Sequence, residues 1–114
     1  MSVLAYIKTD SLLASARSDN TVIIWNIKEG RLVHALKGHT KRVRALVYLG
    51  DGYLVSGSDD RTIKIWNVKE GELIETLEGH ADWVEALVYI REMGFLVSCS
   101  GDKTIKIWDC LMGI

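Results

Sequence analysis

A repeat with a period of 41 to 42 residues is the feature that most constrains what this chain can fold into. Its marks are three tryptophans that lie 41 and 42 residues apart and two Gly-His pairs that lie 41 residues apart: Trp25, Trp66, Trp108, Gly38-His39 and Gly79-His80. Each tryptophan closes a similar heptad, which reads DNTVIIW at 19–25, DRTIKIW at 60–66 and DKTIKIW at 102–108. A unit that recurs in this way builds one module several times, and stacking the modules buries a continuous core.

The residue pattern of each unit predicts four short strands and no helix. In the second unit we expect strands at 43–48, 54–57, 62–68 and 73–77, where β-branched and aromatic residues are separated by Gly, Asp and Ser turns. No stretch keeps apolar residues at the i, i+3, i+4 spacing of a helix. The run Ala45–Tyr48 is apolar on both faces of its strand. This predicts that each small sheet is sandwiched between two neighbours in a stack or ring.

These repeats resemble the WD-repeat β-propeller family over essentially the whole chain. The resemblance is carried by Gly-His, a Ser-x-x-x-Asp segment and Thr-Ile-Lys-Ile-Trp followed by Asn or Asp. The family's Trp-Asp pair is intact at Trp108-Asp109, whereas the other two units read Trp25-Asn26 and Trp66-Asn67. The resemblance implies an all-β fold of four-stranded antiparallel blades, set radially as an incomplete ring of about three blades. We expect one partial propeller over residues 1–114, with units at about 1–37, 38–78 and 79–114.

The resemblance also implies a structural hydrogen-bond network in each complete unit. Its expected members are His39, Ser56, Asp60 and Trp66 in unit two, and His80, Ser98, Asp102 and Trp108 in unit three. Residue chemistry agrees, because a buried indole N–H needs an acceptor and an aspartate in a tight turn can accept from an imidazole ring and from turn amides. A His, Asp and Ser trio that recurs in every complete unit favours a scaffold role over a single catalytic triad. We therefore expect both tryptophans, Trp66 and Trp108, to be largely buried.

Aligning the units leaves the chain one strand short of three full blades. Tyr6 corresponds to Tyr48 and Tyr89, so unit one begins inside its first strand, and unit three stops before a fourth strand. The expected count is eleven strands, and rings of this family hold about four to eight blades. Two interpretations stay open. The chain is a piece of a longer propeller or a partial gene product, or it is a partial ring that assembles with other chains, including a homo-oligomer that completes the ring.

By resemblance, the partner-binding positions lie on the narrower top face of the propeller. They are the strand-one entries and the turns between strands two and three: Arg42, Arg44, Asp59, Trp83 and Glu85. Arginine and tryptophan are enriched in interface hot spots. Strand alternation places Arg42 and Arg44 on one side of a strand, where they either grip a carboxylate or phosphate together or are solvated and paired with Asp59 or Glu85. Trp83 either contacts a partner or packs on the next blade.

Composition excludes several other classes. With 14 Lys and Arg against 15 Asp and Glu, the net charge is −1, which argues against a basic nucleic-acid binder. No apolar run approaches the roughly 20 residues of a membrane-spanning helix. Two cysteines are too few for a disulfide scaffold or a four-ligand zinc site. No cofactor or metal motif is present. We therefore expect an intracellular location, cytoplasmic or nuclear.

Together these features predict a noncatalytic protein–protein interaction scaffold that presents a propeller top face to a peptide or partner domain. We expect no enzyme activity, no cofactor and no metal. One alternative is a substrate-recruiting propeller segment of an enzyme assembly, such as an F-box ubiquitin ligase. Another is a self-assembling partial propeller.

Overall fold

The chain forms three small antiparallel sheets, which we call blades one, two and three. The computed structural model describes residues 3–7 and 11–109. Blade one contains β1 (Leu4–Ile7), β2 (Leu12–Ala16), β3 (Val22–Asn26) and β4 (Arg31–Leu36). Blade two contains β5 (Val43–Gly50), β6 (Tyr53–Ser58), β7 (Ile63–Asn67) and β8 (Glu72–Leu77). Blade three contains β9 (Val84–Ile90), β10 (Phe95–Ser100) and β11 (Ile105–Asp109).

Within each blade the strands follow one another in chain order, each antiparallel to the next. The prediction of an all-β fold with eleven strands is confirmed over the described residues, which contain no α-helix. Across the same part of the chain the three blades do not close a ring. In the described residues, no helix is long and apolar enough to span a membrane.

The turns explain why the strands end where they do. Between the third and fourth strands, Gly30 and Gly71 adopt φ angles of 68° and 70°, which favour a residue without a Cβ. The side-chain oxygens of Asn26 and Asn67 accept backbone N–H bonds in the same turns, from Glu29 at 2.9 Å and from Glu70 at 3.0 Å. The asparagines that stand in place of the family's aspartate therefore keep the turn-capping role of that position.

Two apolar clusters join the blades. The first lies between blades one and two and includes Ile24 and Leu36 from one side and Leu54 and Trp66 from the other. The second lies between blades two and three and includes Ile63 and Ile65 of blade two. Blade two thus contributes to both clusters, with alternate residues of its strands facing opposite neighbours. The prediction of a sheet sandwiched between two neighbours holds for this blade.

Candidate functional site

The polar network of blade two links four side chains in a row. The Trp66 indole N–H donates to the Ser56 hydroxyl oxygen at 2.8 Å, and Ser56 lies 2.7 Å from His39 Nε2. The other ring nitrogen, Nδ1, lies 2.8 Å from a carboxylate oxygen of Asp60. One proton assignment satisfies every contact, because Ser56 can donate to Nε2 while Nδ1–H donates to the carboxylate. The network therefore fits a neutral His39 beside an ionised Asp60.

Burial and hydrogen bonds shift the ionisation of this pair. Burial lowers the pKa of His39 below its usual 6.5, although the neighbouring carboxylate acts in the opposite direction. Burial alone would raise the pKa of Asp60, but hydrogen bonds from Thr62, His39 and the Thr40 amide outweigh it, and the net pKa lies below 3.8. Both directions favour the neutral histidine and the charged aspartate near neutral pH.

Blade three repeats the network with looser geometry. Trp108 donates to Ser98 at 3.0 Å, and Ser98 lies 2.7 Å from His80 Nε2, but His80 Nδ1 is 3.3 Å from Asp102. A hydrogen bond from Thr104, together with the Ala81 amide, holds the pKa of Asp102 well below its usual value. Each aspartate thus ties the strand-one entry of its blade to the turn between strands two and three.

The expected burial is most complete for Trp66, which is 2 % exposed, whereas Trp108 is partly buried against the second apolar cluster. Trp66 lies on β7, and β8 pairs with the outer side of that strand. Leu73 of β8 stands opposite Trp66. Trp108 sits on β11, which is the edge strand of its sheet over the described residues. Over the described residues Trp108 therefore lacks the outer strand that flanks Trp66.

Blade one keeps a shorter form of the network. Trp25 donates to Ser15 at 2.8 Å, and Asp19 accepts from the Thr21 amide at 3.2 Å. The Thr21 hydrogen bond lowers the pKa of Asp19. No histidine of the described residues takes the position of His39 here. Tryptophan–serine and aspartate–turn contacts thus form without the ring that links them in the other blades.

Ser56 and Ser98 are too deeply buried to act as nucleophiles in the folded chain. Ser56 and Ser98 are both fully buried, and each hydroxyl is held between an imidazole and an indole. A catalytic serine must reach a substrate carbonyl beside its base. Among the described residues there is also no cluster of three His, Cys, Asp or Glu that could hold a metal ion. The network therefore stabilises the blade, and its buried serines are not accessible to a substrate.

A second polar cluster, which we call the rim cluster, joins blades two and three at the top face. It consists of Arg44, Asp59, Trp83 and Glu85. Arg44 pairs with Asp59 through two nitrogens, one of them 3.3 Å from Asp59 Oδ2, and its guanidinium carbon lies 5.2 Å from the centroid of the Trp83 ring. The Trp83 N–H donates to Glu85 at 2.8 Å. The ion pair holds Arg44 within blade two, and the cation–π contact of Arg44 with Trp83 links blade two to blade three.

Two β-bulges aim the charged members of the rim cluster. The pairing of β5 with β6 skips Arg44, and the pairing of β9 with β10 skips Glu85, so each is the extra residue of its strand. A bulge redirects a side chain and breaks the strict alternation of a strand. For that reason the expected placement of Arg42 and Arg44 on one side of a strand does not apply. Arg44 contacts Asp59 and Trp83 instead.

Arg42 lies just before β5 and lines a different feature. A cleft of about 650 Å³ opens between blades one and two at the same end of the sheets, bordered by Arg42, Arg17, Ser18 and Leu4. The Arg42 carbonyl accepts the Asp59 amide at 2.9 Å, so its backbone still adjoins the rim cluster. Four of the five expected partner-binding residues thus meet in one cluster, and the fifth borders a neighbouring cleft.

Sequence reasoning missed the part that Gly101 plays in the rim cluster. The Trp83 indole lies across this glycine so closely that a Cβ there would stand 2.5 Å from Trp83 Nε1. The corresponding position in blade two is Asp59. The signal was available in the sequence, because a glycine replaces an aspartate where a tryptophan replaces an arginine. The glycine leaves room for the larger tryptophan side chain. Trp83 packs over Gly101 and stays about 40 % exposed.

Three stacked sheets of one pattern, each with a tryptophan–serine hydrogen bond and an aspartate in its second turn, define a blade-repeat protein of the propeller class. Comparison with known proteins then gives the family. The family "WD domain, G-beta repeat" matches residues 2–26, 30–67 and 71–109, so the chain belongs to the WD-repeat family. The second match runs from β4 of blade one through β7 of blade two. The sequence repeat is therefore offset by one strand from the blade, and it spans two neighbouring sheets.

A curated relative carries the same repeats within a much longer chain. The chain is similar to the DENN domain and WD repeat-containing protein SCD1 of Arabidopsis thaliana, with 40 % identity over 48 residues. This alignment covers 42 % of the present chain and 4 % of the relative. The chain therefore spans a small part of that protein's length. WD repeats are generally noncatalytic and generally serve as protein-interaction scaffolds.

Proposed function

We propose that this chain is a noncatalytic protein–protein interaction scaffold that binds a peptide or partner domain at the rim cluster. The observation that carries the proposal is Trp83, a large aromatic side chain about 40 % exposed at the top face and held flat by a hydrogen bond, a cation–π contact and Gly101. A rigid exposed indole beside charged groups is the usual make-up of an interface hot spot, because little side-chain entropy is lost when it is covered.

The charges around Trp83 support a peptide partner over a nucleic acid. Arg44 already pairs with Asp59, and Glu85 adds a further negative charge, so the rim cluster has no excess of positive charge. A partner of this surface would cover the indole with apolar area and meet the outer edges of the arginine and glutamate with polar groups. The proposal places the protein inside the cell, in the cytoplasm or nucleus, where a free thiol such as Cys99 is usual.

A test begins with peptides selected from a displayed library on the parent chain, whose dissociation constants are then measured by fluorescence anisotropy. Trp83→Ala and Arg44→Glu are each expected to weaken binding by about 30-fold or more, the loss of a hot-spot residue. Lys28→Glu is the control, because it makes a charge change in the exposed turn between β3 and β4. Selected peptides that bind both rim variants as tightly as the parent would contradict the proposal.

The second candidate is a substrate-recruiting segment of an enzyme assembly, such as an F-box ubiquitin ligase. The relative SCD1 combines WD repeats with a DENN domain by its name, which supports the idea that such repeats serve as one part of a larger protein. A reporter fused to a selected peptide distinguishes the two roles in cells that express the protein. Recruitment predicts that the reporter is modified or degraded, and that Trp83→Ala prevents this. A scaffold leaves the bound reporter unaltered.

A further inference from the structure

The outermost strands of blades one and two, β4 and β8, each have one edge that no strand of the described residues pairs with. Both strands lie inside the described part of the chain, with further strands before and after them. Both also carry exposed apolar side chains, since Leu32 of β4 is 44 % exposed and Leu73 and Ile74 of β8 are each 43 % exposed. An open strand edge offers backbone N–H and C=O groups to another strand, which can cover such side chains as it pairs.

The two edges carry opposite charges at the same spacing. Basic side chains along β4 and acidic side chains along β8 recur at every third residue: Arg31, His34, Lys37, Glu72, Glu75 and Glu78. None of these three glutamates forms an ion pair with a described residue. Arg31 pairs locally with Glu29, and both side chains are exposed to solvent. The β8 edge is therefore acidic and without cations of its own, as a basic strand would require.

An antiparallel alignment of β4 with β8 of another molecule matches charge with charge and leucine with leucine. It gives four pairs, two of them charged at the ends and two apolar between them: Arg31–Glu78, Leu32–Leu77, Leu36–Leu73 and Lys37–Glu72. Opposite charges and apolar side chains that stand opposite each other stabilise a strand pair. Two β8 edges, or two β4 edges, would set like charges against each other, which destabilises a pair. The charges therefore select β4 with β8.

Each strand also carries one β-bulge within this register. The pairing of β3 with β4 skips Val33, and the pairing of β7 with β8 skips Ile74. Because each strand has one extra residue between its two leucines, the bulges offset each other and the end pairs keep a common side of the sheet. A regular strand would slip by one residue there and turn its remaining side chains to the opposite face. The match therefore favours a second copy of this chain over an unrelated strand.

We propose that β4 of one copy pairs antiparallel with β8 of a second copy, which joins two four-stranded blades into one continuous sheet. The contact is made edge to edge, whereas the blades within a chain contact each other through apolar sheet faces. The two copies present different strands, so the contact is head-to-tail and leaves one β4 edge and one β8 edge open in each pair. This inference does not depend on the rim cluster.

The test measures association by analytical ultracentrifugation over a micromolar concentration series. The parent chain is expected to associate as concentration rises. Glu72→Lys and Lys37→Glu are each expected to weaken association by about 10-fold, since each sets like charges against each other. Both changes in one chain restore the opposite charges and the parent's net charge, so association is expected to return. Glu92→Lys is the matched control, because it makes the same charge change in the exposed turn between β9 and β10 and should associate like the parent.

A peptide of residues 30–38, GRLVHALKG, tests the strand pairing itself. In excess it is expected to occupy the β8 edge and dissociate the parent oligomers. The same peptide with Val33→Pro keeps every charge but loses a backbone donor, so it should compete about 10-fold less well. Circular dichroism checks that each chain keeps the β fold, and Arg31→Glu with Glu78→Lys replaces the first pair if a variant unfolds.

A parent chain that stays monomeric would overturn the proposal. So would a double variant that fails to associate, or a proline peptide that competes as well as the parent peptide. Association that neither Glu72→Lys nor Lys37→Glu weakens would also overturn it, because the contact would then run through another surface.

Discussion

Blades two and three are built from nearly the same sequence, and they differ in what covers them. Both carry a Thr-Ile-Lys-Ile-Trp strand, both have histidine between serine and aspartate, and both place the tryptophan N–H on the serine. Yet Ile65 is 1 % exposed and Ile107 is 65 % exposed. The strand sequence therefore specifies the hydrogen bonds of a blade, while burial depends on whether another blade lies against it.

The same comparison separates two kinds of interaction. Contacts within a blade, such as the indole–serine bond at 2.8 Å in blade two and 3.0 Å in blade three, are almost unchanged by the missing cover. The histidine–aspartate distances within the same blades differ more, at 2.8 Å in blade two and 3.3 Å in blade three. The networks therefore organise each sheet, and the apolar faces hold the sheets together.

The largest effect is expected from matched isoleucine truncations. Ile65→Ala removes a side chain that is fully enclosed between blades two and three and should lower the free energy of unfolding by about 2–5 kcal/mol. Ile107→Ala removes the same group from an exposed face and should change it by about 0.5 kcal/mol or less. Urea unfolding of both variants, at dilutions where the chain is monomeric, checks the difference. Equal losses would mean that Ile107 is as enclosed in solution as Ile65.

A smaller difference is expected between the two network aspartates. Asp60→Ala leaves His39 and two backbone amides of a buried site without their acceptor and should cost about 1–3 kcal/mol. Asp102→Ala should cost less, because His80 lies 3.3 Å from its carboxylate and the site is more open. Thermal melts of the two variants rank them. A larger loss for Asp102→Ala would contradict the view that blade two holds the tighter network.

Acid should destabilise the chain through His39 first. Because burial lowers the pKa of His39 in the folded state, the unfolded chain binds that proton more tightly, and the free energy of unfolding falls as pH drops below 6.5. The lowered pKa of Asp60 adds a separate loss that begins only as pH falls below 3.8.

Urea midpoints at about pH 7.5 and about pH 5 isolate the histidine contribution, since carboxylates stay ionised across that window. His39→Gln should reduce the difference between the two midpoints, whereas Lys37→Gln, an exposed change two residues away, should leave it as in the parent. An unchanged pH difference in His39→Gln would show that this ring does not carry the effect.

Strands and turns could be predicted because they depend on residues close in the chain. The β-branched runs specify strands, and Gly71 in the turn between β7 and β8 has the positive φ angle that its sequence position suggested. The hydrogen-bond partners of Trp66 also follow from local pairing, since Ser56 and the tryptophan lie on adjacent strands. Three repeats of the heptad support this pattern more strongly than a single copy would.

What the sequence could not predict depends on contacts between blades. The cation–π contact of Arg44 with Trp83 depends on how β5 and β9 lie side by side and on the bulge that redirects the arginine. Strand alternation places the Arg44 side chain on the wrong side of β5, because Arg44 lies in a bulge. The contacts of the rim cluster therefore follow from the structure and not from the sequence pattern.

The smallest effect on stability is expected from Gly101→Ala. This change should nevertheless alter peptide binding at the rim cluster, where blade three carries a glycine and blade two carries Asp59. The added Cβ would stand 2.5 Å from Trp83 Nε1, so the half-exposed indole must swing away from blade three. Because Gly101 has no positive φ angle, the backbone accommodates alanine, and the free energy of unfolding should change by about 0.5 kcal/mol or less. Losing the indole from its place between Arg44 and Glu85 should nevertheless weaken peptide binding at the rim as much as Trp83→Ala does. The matched change is Asp59→Ala at the corresponding position of blade two, which frees the Arg44 guanidinium without a steric clash. If Gly101→Ala changes neither peptide binding nor tryptophan fluorescence, the packing of Trp83 over Gly101 does not determine binding at the rim cluster.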